Sequence, residues 1–253
     1  MKNKRDSKFP ATAHTRNDIA NPTLLPPEAL EKSEVVSNAC MNRTRNLNGS
    51  NSYERDLGFA PLDFLTEKLQ EQQEVAWLDL CCGAGRALIQ AAEDCQTTGQ
   101  SQKVKLTGID LVPMFESIRP GLGCVRLIAA QAEKWETEER FDLITCVHGL
   151  HYIGDKLGLL EKASRWLKTG GLLTAHLDFK NLRTGCQAVS GAQFGKDLRR
   201  AGFRYAQGRR LLMRGSQTSR LVLPYRYLGA DDQAGANFTG QSAVNSYYER
   251  LPS

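Results

Sequence analysis

The sequence predicts an α/β fold: a doubly wound, mostly parallel seven-stranded sheet with helices on both faces and an antiparallel hairpin at its C-terminal end. Three observations predict it. From Val75 onward, short apolar runs alternate with stretches of helix-forming composition, the pattern of a parallel sheet with crossover helices. The run Val75–Leu80 breaks into Cys81-Cys82-Gly83-Ala84-Gly85 and then into Arg86-Ala87-Leu88-Ile89, a strand, a glycine turn and a helix in succession. After Asp178 the alternation stops, and two apolar runs flank Arg214-Gly215-Ser216-Gln217, a hairpin signal.

The elements follow in order. Residues 1–46 are polar, carry Pro10, Pro22, Pro26 and Pro27, and show no sustained period, so this segment is expected to be disordered or loosely attached. Leu62, Leu65 and Leu69 recur at helical spacing behind Pro61 and predict an amphipathic helix over 60–73. Strand one is Val75–Leu80, the next helix Arg86–Asp94, and strand two Val104–Ile109. Pro113 starts a short helix that Pro120-Gly121 must end. Strands three and four are Cys124–Ala129 and Phe141–Cys146. A helix over Leu157–Leu167 stops at Thr169-Gly170-Gly171, and Leu172–Leu177 is strand five. Phe194–Ala201 reads as a helix capped by Gly202, followed by the hairpin strands Phe203–Met213 and Arg220–Tyr227. The tail, 229–253, has no helical or strand period, yet it holds Phe238, Tyr247 and Tyr248. Residues 47–230 are therefore expected to form the domain and 231–253 a tail that folds back beside the substrate opening.

A glycine turn between strand and helix places free backbone N–H groups at the carboxyl end of a parallel sheet, where open α/β folds bind ligands. Asp110, closing Leu106-Thr107-Gly108-Ile109-Asp110, reaches the same crevice. A dinucleotide fingerprint needs a third small residue, and Leu88 stands there instead. No Gly-Lys-Ser/Thr follows, so a phosphate-cradling loop is also absent. An acidic residue on each side of two glycines suits a ligand with a cationic amino-acid end and a ribose. A plain α/β turn remains the alternative on these residues alone.

The pattern Asp79-x-x-x-Gly83-x-Gly85, with Asp110 after the next strand, resembles motif I of the class I S-adenosylmethionine-dependent methyltransferases, small-molecule type. Phe141–Cys146 followed by Leu150-His151-Tyr152, Leu167-Lys168-Thr169-Gly170-Gly171 and Ala201-Gly202-Phe203 resemble further segments of that family, in its order. The resemblance spans Val75 to Tyr227. It implies S-adenosyl-L-methionine as cofactor, with Asp79 facing the sulfonium and ammonium end and the backbone of Cys81, Gly83 and Gly85 lining the methionine moiety. It further implies Asp110 on the ribose hydroxyls, Leu111 on adenine, Gln131-Ala132 at the adenine amino group and ring, and backbone at Cys146 near the cofactor. His151 and Tyr53 are the candidate catalytic residues, although methyl transfer from a sulfonium leans on orientation more than on acid–base groups. The implied function is methyl transfer to a small-molecule acceptor, with an RNA-directed enzyme or a non-catalytic relative as alternatives.

Composition narrows the partners. The chain has 253 residues, 41% of them hydrophobic, enough for a full core, and no apolar run reaches the roughly 18–20 residues of a membrane span. Residues 1–45 hold eight Lys/Arg against five Asp/Glu, so most of the net +5 lies outside the core and nucleic acid is not the expected partner. Arg199, Arg200, Arg204, Arg209, Arg210 and Arg214 read as a solvated face. Seven cysteines, an odd number, include four in strands or strand ends. This pattern suits reduced thiols and a cytoplasmic location. Neither C-x-x-C nor a zinc-spaced Cys/His pair occurs, and His148 with His151 lacks a third ligand, so no metal is expected.

Overall fold

The computed structural model describes residues 23–37, 44–184, 187–188, 191–216 and 221–252. In chain order the elements are α1 (Pro27–Glu31), α2 (Tyr53–Leu57), α3 (Pro61–Leu69), β1 (Val75–Leu80), α4 (Arg86–Thr97), β2 (Val104–Asp110), β3 (Val125–Ala129), β4 (Phe141–Cys146), α5 (Lys156–Arg165) and β5 (Leu167–His176). There follow β6 (Leu182–Thr184), β7 (Gln187–Ala188), α6 (Gly191–Arg200), β8 (Arg204–Ala206), β9 (Leu211–Gly215), β10 (Tyr225–Asp231) and β11 (Asn245–Arg250).

The central sheet has seven strands in the order β3-β2-β1-β4-β5-β9-β8. Its first five are parallel, and β9 and β8 run antiparallel. Every residue of β1 is buried because both faces are covered. Ala76, Leu78 and Leu80 pack with α5 residues such as Leu157 and Leu160, while Val75 and Trp77 pack with Leu65, Leu88 and Ala91 from α3 and α4. A strand that alternates between two cores reads as a continuous apolar run, as expected of a doubly wound sheet. The chain leaves β1 toward β2 and β3, then crosses back to place β4 on the other side of β1. The strand order reverses there, opening a crevice at the carboxyl ends of β1, β2 and β4.

A second sheet, β10-β11-β6-β7, holds the C-terminal residues. The tail over 245–250 is thus a strand, with Tyr247 and Tyr248 buried. It pairs with the distant β6, a contact that leaves no local trace in the sequence. The buried Lys156 joins this sheet to α5. Its ammonium donates to the Ile153 and Val244 carbonyls and to Ser246 Oγ at 2.7–2.9 Å, and burial lowers its pKa to about 7.

Four expectations are corrected. The closing hairpin is β8–β9, because Gln207 to Arg210 turn within the run read as one strand, and Tyr225–Tyr227 goes to the second sheet; Gln217–Arg220 lie outside the described residues. No helix follows Pro113: Glu116 N–H donates to the Ala84 carbonyl and its side chain pairs with Arg86, which pins the segment in extended form across the glycine turn. Thr169-Gly170-Gly171 does not cap α5, which ends at Arg165, but forms an irregularity inside β5, where the pairing slips between Phe141 and Leu143. Lastly, residues 23–37 are not loose. Leu25 bridges Ala230, and Leu30 and Val36 pack on Ala230 and Val244, a cluster too small to leave a period. The expectation for 1–22 and 38–43 lies outside the described residues.

Candidate active site

The glycine turn is built from left-handed residues. Cys81, Gly83 and Gly85 have φ of 59°, 62° and 77°, which returns the chain over the ends of β1 and β2. Side chains at Gly85 and Gly108 would strike Leu127 at 2.5 Å and 2.7 Å, so glycine lets the turn lie close on β2 and β3. Asp110 secures it: one carboxylate oxygen accepts the Gly83 N–H at 2.8 Å, the other the Val112 N–H at 3.0 Å.

Two cavities meet here. The first, about 120 Å³, is lined by Asp110, Leu111, Gln131 and Ala132, and α1 covers it with Leu30 and Glu31. The second, about 180 Å³, is lined by Gly83, His148, Arg45, Thr239 and Gln241 among others. Cys81, Asp110 and Tyr152 belong to both. Gln131 is oriented by α1: its amide N–H donates to Glu31 Oε2, and a carboxylate only accepts. Its Oε1 is therefore turned away, buried and without a hydrogen-bond partner among the described residues. Such an orphaned acceptor in a cavity wall is a place for a ligand N–H.

The structure thus gathers Cys81, Gly83, Asp110, Leu111, Gln131 and Ala132 around the two cavities. Asp79, Gly85, Cys146, Tyr53 and His151 fall outside both linings, for physical reasons. Asp79 is 1% exposed; the Tyr53 hydroxyl donates to one oxygen at 2.6 Å and the Thr145 hydroxyl to the other at 2.5 Å. Burial raises its pKa to about 7, against the lowering by these two bonds. Its carboxylate, expected to face the cofactor's charged end, is thus held by Tyr53 and Thr145 outside both linings. Tyr53 is itself buried, and burial and Asp79 push it well above its usual range. Gly85 caps α4 and packs on Leu127. Cys146 is buried against Cys81, whose thiol is pushed well up by their hydrogen bond and by burial.

His151 is sealed beneath Phe238, with ring centroids 5.2 Å apart, and burial drops its pKa to about 2. His176 behaves alike, at about 3. The chamber histidine is His148, at φ 61°, stacked on His176 at 4.2 Å. Its Nε2 lies 3.3 Å from Asp56 Oδ2, which Arg45 grips at 2.5 Å. Among the described residues no group of three or more His, Cys, Asp or Glu could hold a metal ion. Sequence reasoning missed Glu31, Arg45 and Asp56, which sit in segments without periodicity; the aromatic richness of the tail was the signal for Phe238, and with it for its neighbours Thr239 and Gln241.

Residues 52–207 match the family described as "Methyltransferase domain". The (S)-coclaurine N-methyltransferase of Papaver somniferum is 32% identical over 127 residues, which are 49% of this chain and only 35% of that protein. Solved structures with similarity include YjhP from E. coli (23% identity, TM-score 0.37, 59% of this chain and 55% of that one) and the [4+2]-cyclase SpnF (20%, 0.42, 63% and 61%). With more than half of its length matched by that family, on a seven-stranded sheet whose crevice lies at the motif I turn, the chain belongs to the class I, S-adenosylmethionine-dependent methyltransferases.

Proposed function

We propose that the protein transfers a methyl group to a small-molecule acceptor, with the donor lying across both cavities and the acceptor entering the larger. The observation that carries this is the pair of cavities meeting at Asp110, the first of them also lined by Leu111, Gln131 and Ala132. S-Adenosylmethionine supplies, when bound, a methyl group on a positively charged sulfur. The chain's own residues hold and orient. Asp110 accepts the ribose hydroxyls, Leu111 packs on the adenine face, Gln131 Oε1 accepts its amino group, and the backbone at Cys81 and Gly83 admits the methionine end. Tyr152, whose hydroxyl donates to Gln241 Oε1 at 2.8 Å, ties the C-terminal segment over the chamber and keeps water out, so that orientation supplies much of the rate.

The relative in Papaver somniferum, named an (S)-coclaurine N-methyltransferase, supports a small acceptor. The test is incubation with methyl-labelled donor and a panel of amines and phenols, beside total RNA. Label in one or more small acceptors is expected; label in RNA alone, or in nothing, contradicts the reading.

A further inference from the structure

The second chamber contains few groups able to take a proton. Arg45 is a cation, and Asp110 is committed to two backbone N–H groups. The Cys81 thiol is pushed well up by its bond to Cys146 and by burial, and burial also raises Tyr152. His148 is different in kind. It stands two residues past β4 with a left-handed backbone, φ 61° and ψ −6°, a conformation that strains a non-glycine residue and persists where surroundings enforce it.

Those surroundings are specific. His176 from β5 stacks on one side at 4.2 Å, and Phe238 packs at 5.5 Å. Phe238 in turn carries the Arg210 guanidinium on its ring at 4.5 Å. On its edge Nε2 meets Asp56, which the Arg45 guanidinium also grips. For Asp56, burial acts upward, but the bond to His148 and the Arg45 charge prevail and hold it below the usual carboxylate range. A carboxylate accepts only, so Nε2 carries the hydrogen. Nδ1 keeps its lone pair, buried and without a hydrogen-bond partner among the described residues. The other charged or titratable groups facing this ring are His151 and His176, both held neutral by burial, so neither competes for the proton nor repels it.

We infer that His148 is the general base of the transfer, with Asp56 and Arg45 as its positioning residues, and that the acceptor therefore bears an N–H or O–H group, as in an amine or a phenol. This rests on the methyltransferase reading of the site. As the acceptor heteroatom bonds to the methyl carbon, the carbon–sulfur bond breaks and its electron pair stays on sulfur. The acceptor's proton passes to Nδ1, and Asp56 stabilises the imidazolium formed. No other reactant is needed.

The test reads the ring directly. The chain has four histidines, few enough for long-range proton–nitrogen NMR to assign each tautomer, with and without saturating S-adenosylhomocysteine. His148 is expected as the Nε2–H tautomer, and Asp56→Asn should erase that preference. With amines and phenols as acceptors, His148→Asn should lower kcat by about 10²–10⁴-fold; asparagine tolerates the left-handed backbone. Asp56→Asn should lower kcat by about tenfold or more, and both variants should bind S-adenosylhomocysteine within about threefold of wild type. An Nδ1–H tautomer, or full turnover in a His148→Asn variant that binds S-adenosylhomocysteine as wild type does, overturns the base. Failure of the wild type to bind S-adenosylhomocysteine overturns instead the reading on which it rests.

Discussion

Asp79 and Asp110 end neighbouring strands, and both are acidic residues of the motif, yet burial gives them opposite chemistry. Asp110 opens onto both cavities, whereas Tyr53 and Thr145 close Asp79 off. Asp110, Leu111, Gln131 and Ala132 were legible through the family resemblance, which puts them at or just past strand ends, where side chains of an open α/β sheet reach the crevice. The sealing of Asp79 was not, because Tyr53 comes from α2 and only the folded chain brings it near. A pH effect follows. The unfolded carboxyl loses its proton near 3.8 and the folded one near 7. Between those values the unfolded chain releases a proton that the folded chain retains, so the Asp79 contribution to stability falls as pH rises from about 4 to about 7 and is level above. Asp79→Asn removes that fall. Measured by calorimetry, its Tm relative to wild type should be several degrees more favourable at pH 8 than at pH 5; a pH-independent difference would contradict the buried-carboxylate account.

Among the elements, those bounded by local signals were legible almost to the residue. β1, β4 and the start of α4 follow from apolar runs and the glycine turn between them. The hairpin was misplaced because the turn at Gln207–Arg210 carries a single glycine, Gly208, among polar residues, a weaker signal than Arg214-Gly215-Ser216-Gln217. The second sheet was invisible because β11 pairs with β6 across the whole terminal segment. Lys156 holds that junction, and its three hydrogen bonds give a second test. Lys156→Met keeps the volume but leaves the Val244 and Ile153 carbonyls without their donor, so urea unfolding should show a loss of about 2–5 kcal/mol, the scale for breaking a buried charged network. A midpoint equal to that of wild type would mean that the second sheet docks without this cation.

For the whole molecule, the crevice of the central sheet is roofed by both chain ends. Leu30 and Glu31 of α1 cover the first cavity, and Thr239 and Gln241 reach the second. Deleting residues 1–37 should therefore lower the Tm and weaken binding of S-adenosylhomocysteine by about tenfold; unchanged affinity would show the N-terminal segment to be a bystander. Calorimetric titration of S-adenosylmethionine into wild type and Asp110→Ala measures directly whether the donor occupies the two cavities that meet at Asp110. Wild type should bind with a dissociation constant in the micromolar range, and Asp110→Ala should lose about 1.5–3 kcal/mol, the scale of hydrogen bonds to a charged group. Equal affinity in the two proteins would place the donor elsewhere.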